Sequence, residues 1–597
     1  MILFETANAS MRVRISLLVA VLFVALALPI QQLSAQPTKI SGTLPPNGDV
    51  SNKYAVSPDG RYAVFIADKD LNGRDDLYAV FLRTGASVKL SNILVSGGNV
   101  TEFQISPDSS RVVYLADQDT PGAFRLYSVN ISGGTTPNLS GGFATTGGDV
   151  LPGFQISPDG NRVVFIADKD ADDDFHLYSS PITSSSPLKL SGTLTPGGDV
   201  THFQISANSA QVVFRADKDA NDVFELYSTP IASAVPIKLS GTLPANMLVE
   251  PDFRVSPDSI RTVFRTRGNS TDPFAFNELY SVPILGGTPI QLTTTNGGFG
   301  AGNVKITPDS TRVLYTSDEV VQYGPAVMST PINSRSAIVV SEFFASIGGY
   351  GPFEVSSDGA RVVFTIDRTS SGIYELYSGS AISATSALKI SGPLVSGGSV
   401  GEFQISPDAS RVVFRADKDA QGRFELYSTP IASNTSIKLS GTPTPGGNVS
   451  TGFQVSPDST RVVYLADRDT PGIVELYSSP IAANLPNKIS GAMIANGDVT
   501  TFVISPDSSR VIFLADKETD TVDELYRVQI GGSSLALDID GDDRVLPLTD
   551  LLLLARYQLG LRGSALIANA LGENATITAA GAIETRIRGA LGVGLPF

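Results

Sequence analysis

The chain has 597 residues, of which 42% are hydrophobic and 17% charged, a composition that can bury a large core and is not typical of a disordered protein. It contains no cysteine, which excludes disulfides, thiolate metal sites and thiol nucleophiles. The formal net charge of −16 argues against nucleic acid or an anionic membrane surface as a partner and favours cations or basic partners.

The N-terminus has the pattern of a secretory signal. Arg12 and Arg14 precede an uncharged run over 15–30, and small residues follow up to Ala35. The apolar run is short for a membrane span. We therefore predict a signal peptide over 1–35 that leaves no membrane span when it is removed. The mature protein is then exported to the periplasm, the cell surface or the medium. The alternative is an uncleaved N-terminal anchor.

Most of the chain after Lys39 consists of one repeated unit. Each copy contains a tight turn that opens with Ser or Thr, usually as Ser-Pro-Asp, and successive turns are about 50 residues apart, within the period range of propeller blades. The ten opening residues are Ser57, Ser106, Ser157, Ser206, Ser256, Thr307, Ser356, Ser406, Ser456 and Ser505. The repetition predicts ten equivalent structural units.

Within each copy the residues alternate as they do in short strands. In the eighth copy Val412, Phe414 and Ala416 alternate with Val413 and Arg415, the two-residue period of a strand. Four strands are predicted per copy, with the sequences Phe-Gln-Ile-Ser, Arg-Val-Val-Phe, Glu-Leu-Tyr-Ser and Lys-Leu-Ser-Gly. They are joined in turn by the Pro-Asp turn, an Asp-rich hairpin, a Ser/Pro loop and a Gly-rich loop.

These motifs resemble a known family of repeats. Ser-Pro-Asp-Gly at 57–60 and 157–160, with the recurring Arg-Val-Val-Phe and Glu-Leu-Tyr, is similar to the β-propeller repeat of the TolB family and its tryptophan-aspartate-repeat-like relatives. The resemblance implies an all-β propeller of ten four-stranded repeats over 36–530. The fifth and sixth copies depart most, at 265–268 and 316–319. The resemblance says little about function, because propellers host many unrelated activities.

The two ends of the repeat region indicate how the propeller closes. Residues 39–44 form a fourth strand with no preceding three, whereas the last copy supplies three strands up to Ile530. We predict that the orphan strand completes the last blade, which removes open sheet edges. Ten blades exceed the usual four to eight. A single ring and two consecutive rings, with a junction near 300–350, are both compatible with the sequence.

The Asp-rich hairpins and Gly-rich loops are expected on one face, since the strands alternate in direction. Oxygen ligands at loop positions 1, 3, 5 and 9 can surround a Ca²⁺ ion. The first copy offers Asp68, Asp70, Asn72 and Asp76, the fourth offers Asp217, Asp219, Asn221 and Glu225, and Asp168, Asp170 and Asp172 form a partial version. The alternative is that these are ordinary hairpin residues, neutralised by the intervening Lys69, Lys218 or Lys418.

The other recurrent charges have a structural interpretation. Asp59 with Arg61, and Asp408 with Arg411, are expected to fix the turn and to pair across the base of a blade. No set of nucleophile, acid and base is recognisable, so we predict that the protein is not an enzyme. The two histidines, His176 and His202, are interpreted as partly exposed strand or loop residues.

The C-terminal residues 531–597 differ in character from the repeats. The carboxylates of Asp538, Asp540 and Asp542, the carbonyl of Arg544 and the acid Asp550 at a helix start follow the spacing of an EF-hand-type calcium loop.

This segment resembles a dockerin-like module, which implies bound Ca²⁺ and a cohesin-like partner. Asp543 replaces the turn glycine, and the second loop of such modules has lost its aspartates here, although Ile583, Ile587 and Leu591 share one helical face. The alternative is that Thr549 merely caps the helix beside a solvated acidic turn.

Together these features predict an exported, non-catalytic binding or scaffold protein. Its propeller would recognise a protein or glycan, and its C-terminal module would bind calcium and dock a partner. One alternative is a secreted polysaccharide-acting hydrolase or lyase that uses paired carboxylates on the acidic face. Another is a purely structural surface protein.

Overall fold

A computed structural model describes residues 36–144, 147–243, 247–268, 278–293, 301–317, 326–341, 349–367, 372–530, 549–571 and 577–590. One compact unit spans Gln36–Ile530, and the helices that follow residue 548 belong to a second unit. The predicted signal peptide, residues 1–35, lies outside the described residues. None of the helices that are described is long and apolar enough to cross a membrane.

The first unit is built from ten antiparallel sheets, which we number as blades 1 to 10 in chain order. Blade 1 contains β2 (Val50–Val56), β3 (Tyr62–Ala67), β4 (Asp76–Phe81) and β5 (Ser87–Lys89). Blade 2 contains β6 (Val100–Ile105), β7 (Arg111–Ala116) and β8 (Arg125–Asn130). Blade 3 contains β9 (Gln155–Ile156), β10 (Arg162–Ala167), β11 (His176–Pro181) and β12 (Leu188–Lys189). Blade 4 contains β13 (Val200–Ile205), β14 (Gln211–Ala216), β15 (Glu225–Pro230) and β16 (Ile237–Lys238). Blade 5 contains β17 (Met247–Val249), β18 (Arg254–Val255), β19 (Arg261–Gly268), β20 (Glu278–Pro283) and β21 (Ile290–Gln291). Blade 6 contains β22 (Gly302–Ile306), β23 (Arg312–Ser317), β24 (Ala326–Pro331) and β25 (Ile338–Val339).

The remaining blades follow the same order. Blade 7 contains β26 (Gly349–Val355), β27 (Arg361–Asp367), β28 (Tyr374–Ser380) and β29 (Leu388–Lys389). Blade 8 contains β30 (Val400–Ile405), β31 (Arg411–Ala416), β32 (Glu425–Pro430) and β33 (Ile437–Lys438). Blade 9 contains β34 (Gln454–Val455), β35 (Arg461–Ala466), β36 (Glu475–Pro480) and β37 (Asn487–Lys488). Blade 10 contains β38 (Val499–Ile504), β39 (Arg510–Ala515), β40 (Glu524–Gln529) and β1 (Thr38–Lys39). Eight blades have four strands, blade 2 has three and an isolated bridge from Tyr127 to Asn138, and blade 5 has five because its first strand is divided. The prediction of four-stranded repeats is confirmed.

The second and third strands form the buried centre of each blade. Val412, Val413 and Phe414 of β31 are fully buried, and Phe414 stacks on Tyr427 of β32 with ring centroids 5.5 Å apart. An equivalent stacked pair recurs in nine blades. Offset aromatic pairs of this kind add to the free energy gained by burying the rings.

Neighbouring blades share hydrophobic cores. In one of them Val413 and Leu426 of blade 8 pack with Val462, Tyr464 and Tyr477 of blade 9. Because both faces of a blade are covered in this way, the middle residues of the two central strands are buried, and the second strand reads as an apolar run, Val-Val-Phe in β31. The ring is therefore held together by a series of similar contacts between blades.

The ring closes through the N-terminal strand. β1 pairs antiparallel with β40, where Thr38 lies opposite Arg527 and Lys39 opposite Tyr526. Ile40 is buried in a core that combines blade 1 residues with Ile512 and Leu525 of blade 10. The predicted shared blade is confirmed. Since blade 1 packs directly on blade 10, the structure is a single ten-bladed ring, and the arrangement as two rings is wrong.

The second unit is helical. Its helices are α1 (Asp550–Gln558), α2 (Ser564–Ile567) and α3 (Ala580–Ala590). Leu553 and Tyr557 of α1 pack against Leu566 of α2 and against Ile583 and Ile587 of α3. This core confirms the shared helical face predicted for Ile583 and Ile587, and Leu591, the third residue of that prediction, lies outside the described residues.

The proposed calcium loop lies mostly outside this description. Asp538, Asp540, Asp542 and Arg544 lie outside the described residues, and Asp550 is the first residue of α1. The calcium loop and the dockerin-like docking role therefore stay predictions.

The closing strand provides a first test. Deleting residues 1–44 removes β1 and the buried Ile40, and it exposes the edge of β40. We expect this protein to lose about 2 kcal/mol or more of unfolding free energy and to self-associate through the open edge. Urea unfolding and size-exclusion chromatography measure both effects. The control lacks only residues 1–35. Equal stability and an equal elution volume for the two proteins would contradict closure by β1.

Candidate functional site

In seven of the blades described, the first aspartate of the hairpin is a hydrogen-bond acceptor for two backbone amides, whereas blade 5 carries Arg267 at this position. Asp417 is buried, and its Oδ1 accepts the amide of Ser399 at 2.5 Å while its Oδ2 accepts the amide of Gly422 at 2.7 Å. Bonds from amides to an ionised carboxylate are stronger than neutral ones. One side chain therefore fixes both the hairpin and the Gly-rich loop beside it.

The same two bonds recur around the ring. We call the residues that make them the hairpin aspartates, which are Asp68, Asp117, Asp168, Asp217, Asp417, Asp467 and Asp516. Position 1 of each proposed calcium loop, Asp68, Asp168 or Asp217, is thus occupied by backbone amides.

The Gly-rich loops link one blade to the next. The side chain of Asn448, whose amide binds Asp467, accepts the amide of Phe424 in the preceding blade at 2.9 Å. Equivalent bonds run from Asp75 to Asn99, Phe124 to Asp149, Phe175 to Asp199, Tyr374 to Ser399, Val474 to Asp498 and Asp523 to Asp49. The last of these joins blade 10 to blade 1. The polar residues on this face therefore form a hydrogen-bonded series across blade boundaries.

The second and third acids of a hairpin pair with a lysine of the outermost strand. Lys438 Nζ lies 2.6 Å from Asp419 and also contacts Glu425, which accepts the hydroxyl of Tyr427 at 2.9 Å. Partial burial opposes ionisation of Asp419, but the hydrogen bond and charge of Lys438 outweigh it and hold its pKa below the usual range. Burial likewise opposes the charge of Lys438, yet its two acidic partners raise its pKa.

This arrangement recurs in four other blades, with one lysine between two acids. The groups are Lys89 with Asp70 and Asp76, Lys238 with Asp219 and Glu225, Lys488 with Asp469 and Glu475, and Lys39 with Glu518 and Glu524. The lysine inside the hairpin contributes too, since the charge of Lys418 helps to lower the pKa of Asp419, although its direct hydrogen bonds lie elsewhere. Lys218 donates to the carbonyl of Thr193, and Lys418 donates to the carbonyl of Ser391.

Some of the proposed calcium ligands in the hairpins have other partners. Asn72, Asn221 and Asp172 are exposed, and Asp170 pairs with Lys189 at 2.6 Å. Within the described ranges, no group of three or more acids or histidines could hold a metal ion. An ion in these hairpins would compete with lysine and with backbone amides. The hairpin calcium sites stay predictions.

The interpretation of the histidines is half wrong. His176 is buried rather than partly exposed, and it takes the place of Glu425 in its blade, with Nδ1 2.9 Å from Ser191 Oγ. Burial, with the nearby charge of Lys189, lowers the pKa of His176. His202 is exposed on β13, as expected.

The charges of the Ser-Pro-Asp turn do not all pair as expected. Asp59 and Arg61 lie 3.8 Å apart. Asp408, however, accepts hydrogen bonds from the hydroxyls of Ser406 and Ser410, and Arg411 Nε donates to Ser428 Oγ on the next strand at 2.7 Å. The expected pairing of Asp408 with Arg411 is wrong because each finds a nearer neutral partner.

The first strands lie at the centre of the ring. The side chain of Gln404 accepts the amide of Val455 in the next blade at 2.8 Å, and Gln454 Nε2 donates to the carbonyl of Phe502 at 3.1 Å. A glutamine side chain thus bridges adjacent first strands. We call the residues at this position the inner belt: Ala55, Gln104, Gln155, Gln204, Arg254, Lys305, Glu354, Gln404, Gln454 and Val503.

The inner belt changes character at blades 5 to 7. Glutamine occupies five of its positions, but Arg254 and Lys305 take the place of glutamine in blades 5 and 6 and Glu354 does so in blade 7. Arg254 and Lys305 are both exposed, and neither forms an ion pair with any residue that the structure describes. Lys305 Nζ lies 5.6 Å from the ring centroid of Phe353.

Further cations flank these two. Arg265 binds Asp252 through two nitrogens, at 2.7 and 3.2 Å, and donates to the carbonyl of Ala301 at 2.8 Å. Arg267 is exposed, 3.9 Å from Glu250. Arg215 donates to the carbonyl of Val249 at 2.6 Å, and burial lowers its pKa to about 10. We call Arg215, Arg254, Arg265, Arg267 and Lys305 the basic wall.

Sequence reasoning found part of this region and missed the rest. The departure of the fifth copy at 265–268 is visible in the sequence analysis, but Arg254 and Lys305 are not singled out there. Aligning the ten copies on the turn residue would have revealed them, because the belt position lies two residues before that residue in every copy.

Comparisons with known proteins concern the propeller fold alone. No protein-family model and no curated protein matches the chain. Among solved structures it is similar to a prolyl endopeptidase, with 13% identity over 63% of this chain and a TM-score of 0.34, and it spans about half of that chain, 55%. A putative TolB from Agrobacterium tumefaciens has 17% identity over 40% of this chain and 79% of its own, with a TM-score of 0.25. An oligogalacturonate lyase in complex with manganese has 11% identity over 72% and 96%, with a TM-score of 0.32.

The two kinds of hairpin acid can be separated by substitution. Asp417→Ala leaves two backbone amides without their acceptor, so we expect it to cost about 2–4 kcal/mol of unfolding free energy. Asp419→Ala removes an ion pair at a side chain that is 42% exposed and should cost about 1 kcal/mol or less. Urea unfolding measures both. Similar losses in the two variants would show that Asp417 is not a structural acceptor.

Proposed function

We propose that this protein is an exported, non-catalytic binding or scaffold protein whose propeller recognises a protein or glycan at the inner belt of blades 5 to 7. The observation that carries the proposal is the change of the belt from glutamine to Arg254 and Lys305 at exposed positions. In the other blades that carry a belt glutamine, its side-chain amide bonds to the backbone of the neighbouring blade. A departure from a regular repeat that adds exposed charge is the expected mark of a recognition surface.

The acids of the hairpin face support recognition over turnover. Glycoside cleavage requires two carboxylates whose environments give them different protonation states, placed on either side of a bond. In the hairpins, Asp417 is bound by amides and Asp419 and Glu425 share one lysine. Carboxylates that are already bound by amides or by a lysine are poorly suited to exchange protons with a substrate.

One residue favours the second candidate, a polysaccharide-acting hydrolase or lyase. Glu402 lies on the first strand β30, two residues before Gln404 of the inner belt. Burial raises its pKa, although the Gly452 amide and Arg415 act in the opposite direction. A carboxylic acid with a raised pKa is a candidate proton donor. In the described part of the chain its neighbours are the amide of Gly452 and the charge of Arg415, and no second acid contacts it.

The C-terminal unit fits an attachment role. We infer that residues 531–597 form a calcium-binding, dockerin-like module for a cohesin-like partner. Its support is that α1 begins at Asp550, directly after the acidic segment, and that the three helices share a core. Export rests on the signal pattern in residues 1–35.

Binding and turnover are tested together on the full mature chain. We expect retention of one glycan or protein class on an array, with no new reducing ends and no change in size of any polysaccharide incubated with the protein. Glu402→Gln should leave binding unchanged. Release of products that Glu402→Gln abolishes would replace this proposal with the enzyme alternative.

Calcium is tested by calorimetric titration of metal-free protein. We expect about one ion per full-length chain, since one loop has the required spacing, and none for a chain that ends at Ile530. Asp540→Ala should abolish binding in the full chain. Several ions on the shorter chain would instead place calcium in the propeller hairpins.

A further inference from the structure

We propose that the basic wall binds an acidic polysaccharide whose sugar units carry carboxylates, a polyuronate. The inference rests on the proposed function and gives the ligand a chemical class. It starts from local charge. In a chain of net charge −16, the basic wall places five cations in blades 4 to 6. Arg215 and Arg265 are held by backbone carbonyls. The acids around the wall are Asp217, Glu250, Asp252 and, at the next belt position, Glu354.

Two of the cations are free to meet a ligand. Arg254 and Lys305 are exposed and occupy the same position on adjacent first strands. Elsewhere in the ring a glutamine side chain reaches from this position to the neighbouring first strand. The guanidinium of Arg254 and the ammonium of Lys305 therefore lie within reach of one ligand chain. A polymer with a carboxylate on each unit can contact both at once, and such charge-assisted bonds are strong.

The local backbone shapes this part of the wall. The first strand of blade 5 is interrupted, so that β17 and β18 pair separately with β19, and blades 3 and 9 have similar interruptions before β9 and β34. In blade 5 the interruption contains Asp252, which holds the planar end of Arg265. The pairing of Arg265 with Asp252 also shows that this part of the wall has room for a carboxylate bound by a guanidinium.

The polarity of the wall favours a saccharide over a protein. Protein interfaces are centred on aromatic and apolar anchors. Of the residues described, the large apolar side chains that are exposed, such as Leu71, Ile93 and Leu285, lie on loops and outer strands, and none lies on a first strand. Hydroxyl and amide groups occupy exposed or half-exposed positions beside the wall, at Thr201 and Asn303. A hydrated chain of hydroxyls and carboxylates matches such a surface.

The test is calorimetric titration of the full mature chain with oligogalacturonate. We expect binding that weakens as salt rises and that is lost when the oligomer is fully methyl-esterified, which removes charge and keeps the sugar. The variant Arg254→Gln/Lys305→Gln restores the residue found in five other blades, so it should fold. It should weaken binding about tenfold or more.

The matched control removes two exposed cations from outer loops. Arg83→Gln/Arg335→Gln makes the same change in net charge and should bind like the unmodified protein. Unchanged affinity in Arg254→Gln/Lys305→Gln, equal affinity for polyglutamate, or no binding of oligogalacturonate would each overturn the inference. Retention of another glycan without turnover would then leave the proposed function standing. Shortening of the oligomer would contradict that function itself.

Discussion

The ring depends on a carboxylate that accepts two backbone amides. Each hairpin aspartate joins the hairpin of its blade to the Gly-rich loop that enters the same blade. That loop then receives an amide from the blade before it, as Asn448 does from Phe424. A ten-bladed ring must hold a small and constant angle between blades. Repeating one short polar linkage at successive boundaries, beside the hydrophobic cores, is a physical means of doing so.

The residues that hold the ring together and the residues proposed to bind a ligand are different ones. The acidic face looks like a site because carboxylates are dense there, yet its hairpin aspartates and their lysine-paired neighbours are occupied by contacts within the ring. Arg254 and Lys305 of the inner belt, in contrast, are exposed and form no ion pair within the described part of the chain. In a repeat protein, the residues that all copies share maintain the fold, and those that differ are available for a ligand.

Much of the fold could be predicted from sequence, and less of the candidate site. The period of the Ser-Pro-Asp turn and the two-residue alternation around Val413 determine the blades, and the orphan strand at Lys39 predicts closure. The role of Asp417 could not be read in the same way. Its spacing from Asp419 is shared by calcium loops and by ordinary hairpins, and its partners Ser399 and Gly422 are backbone groups. The lysine that pairs with Asp419 lies on the outermost strand, which only the sheet register identifies.

Hydrogen exchange of the hairpin amides tests the central role of these carboxylates most directly. The amides of Gly73, Gly122 and Gly422 point at Asp68, Asp117 and Asp417, although they sit at exposed turns. We expect them to exchange slowly, with protection close to that of the central strands. Exchange at the rate of an unstructured peptide, while the strands stay protected, would show that the hairpin aspartates do not hold the ring.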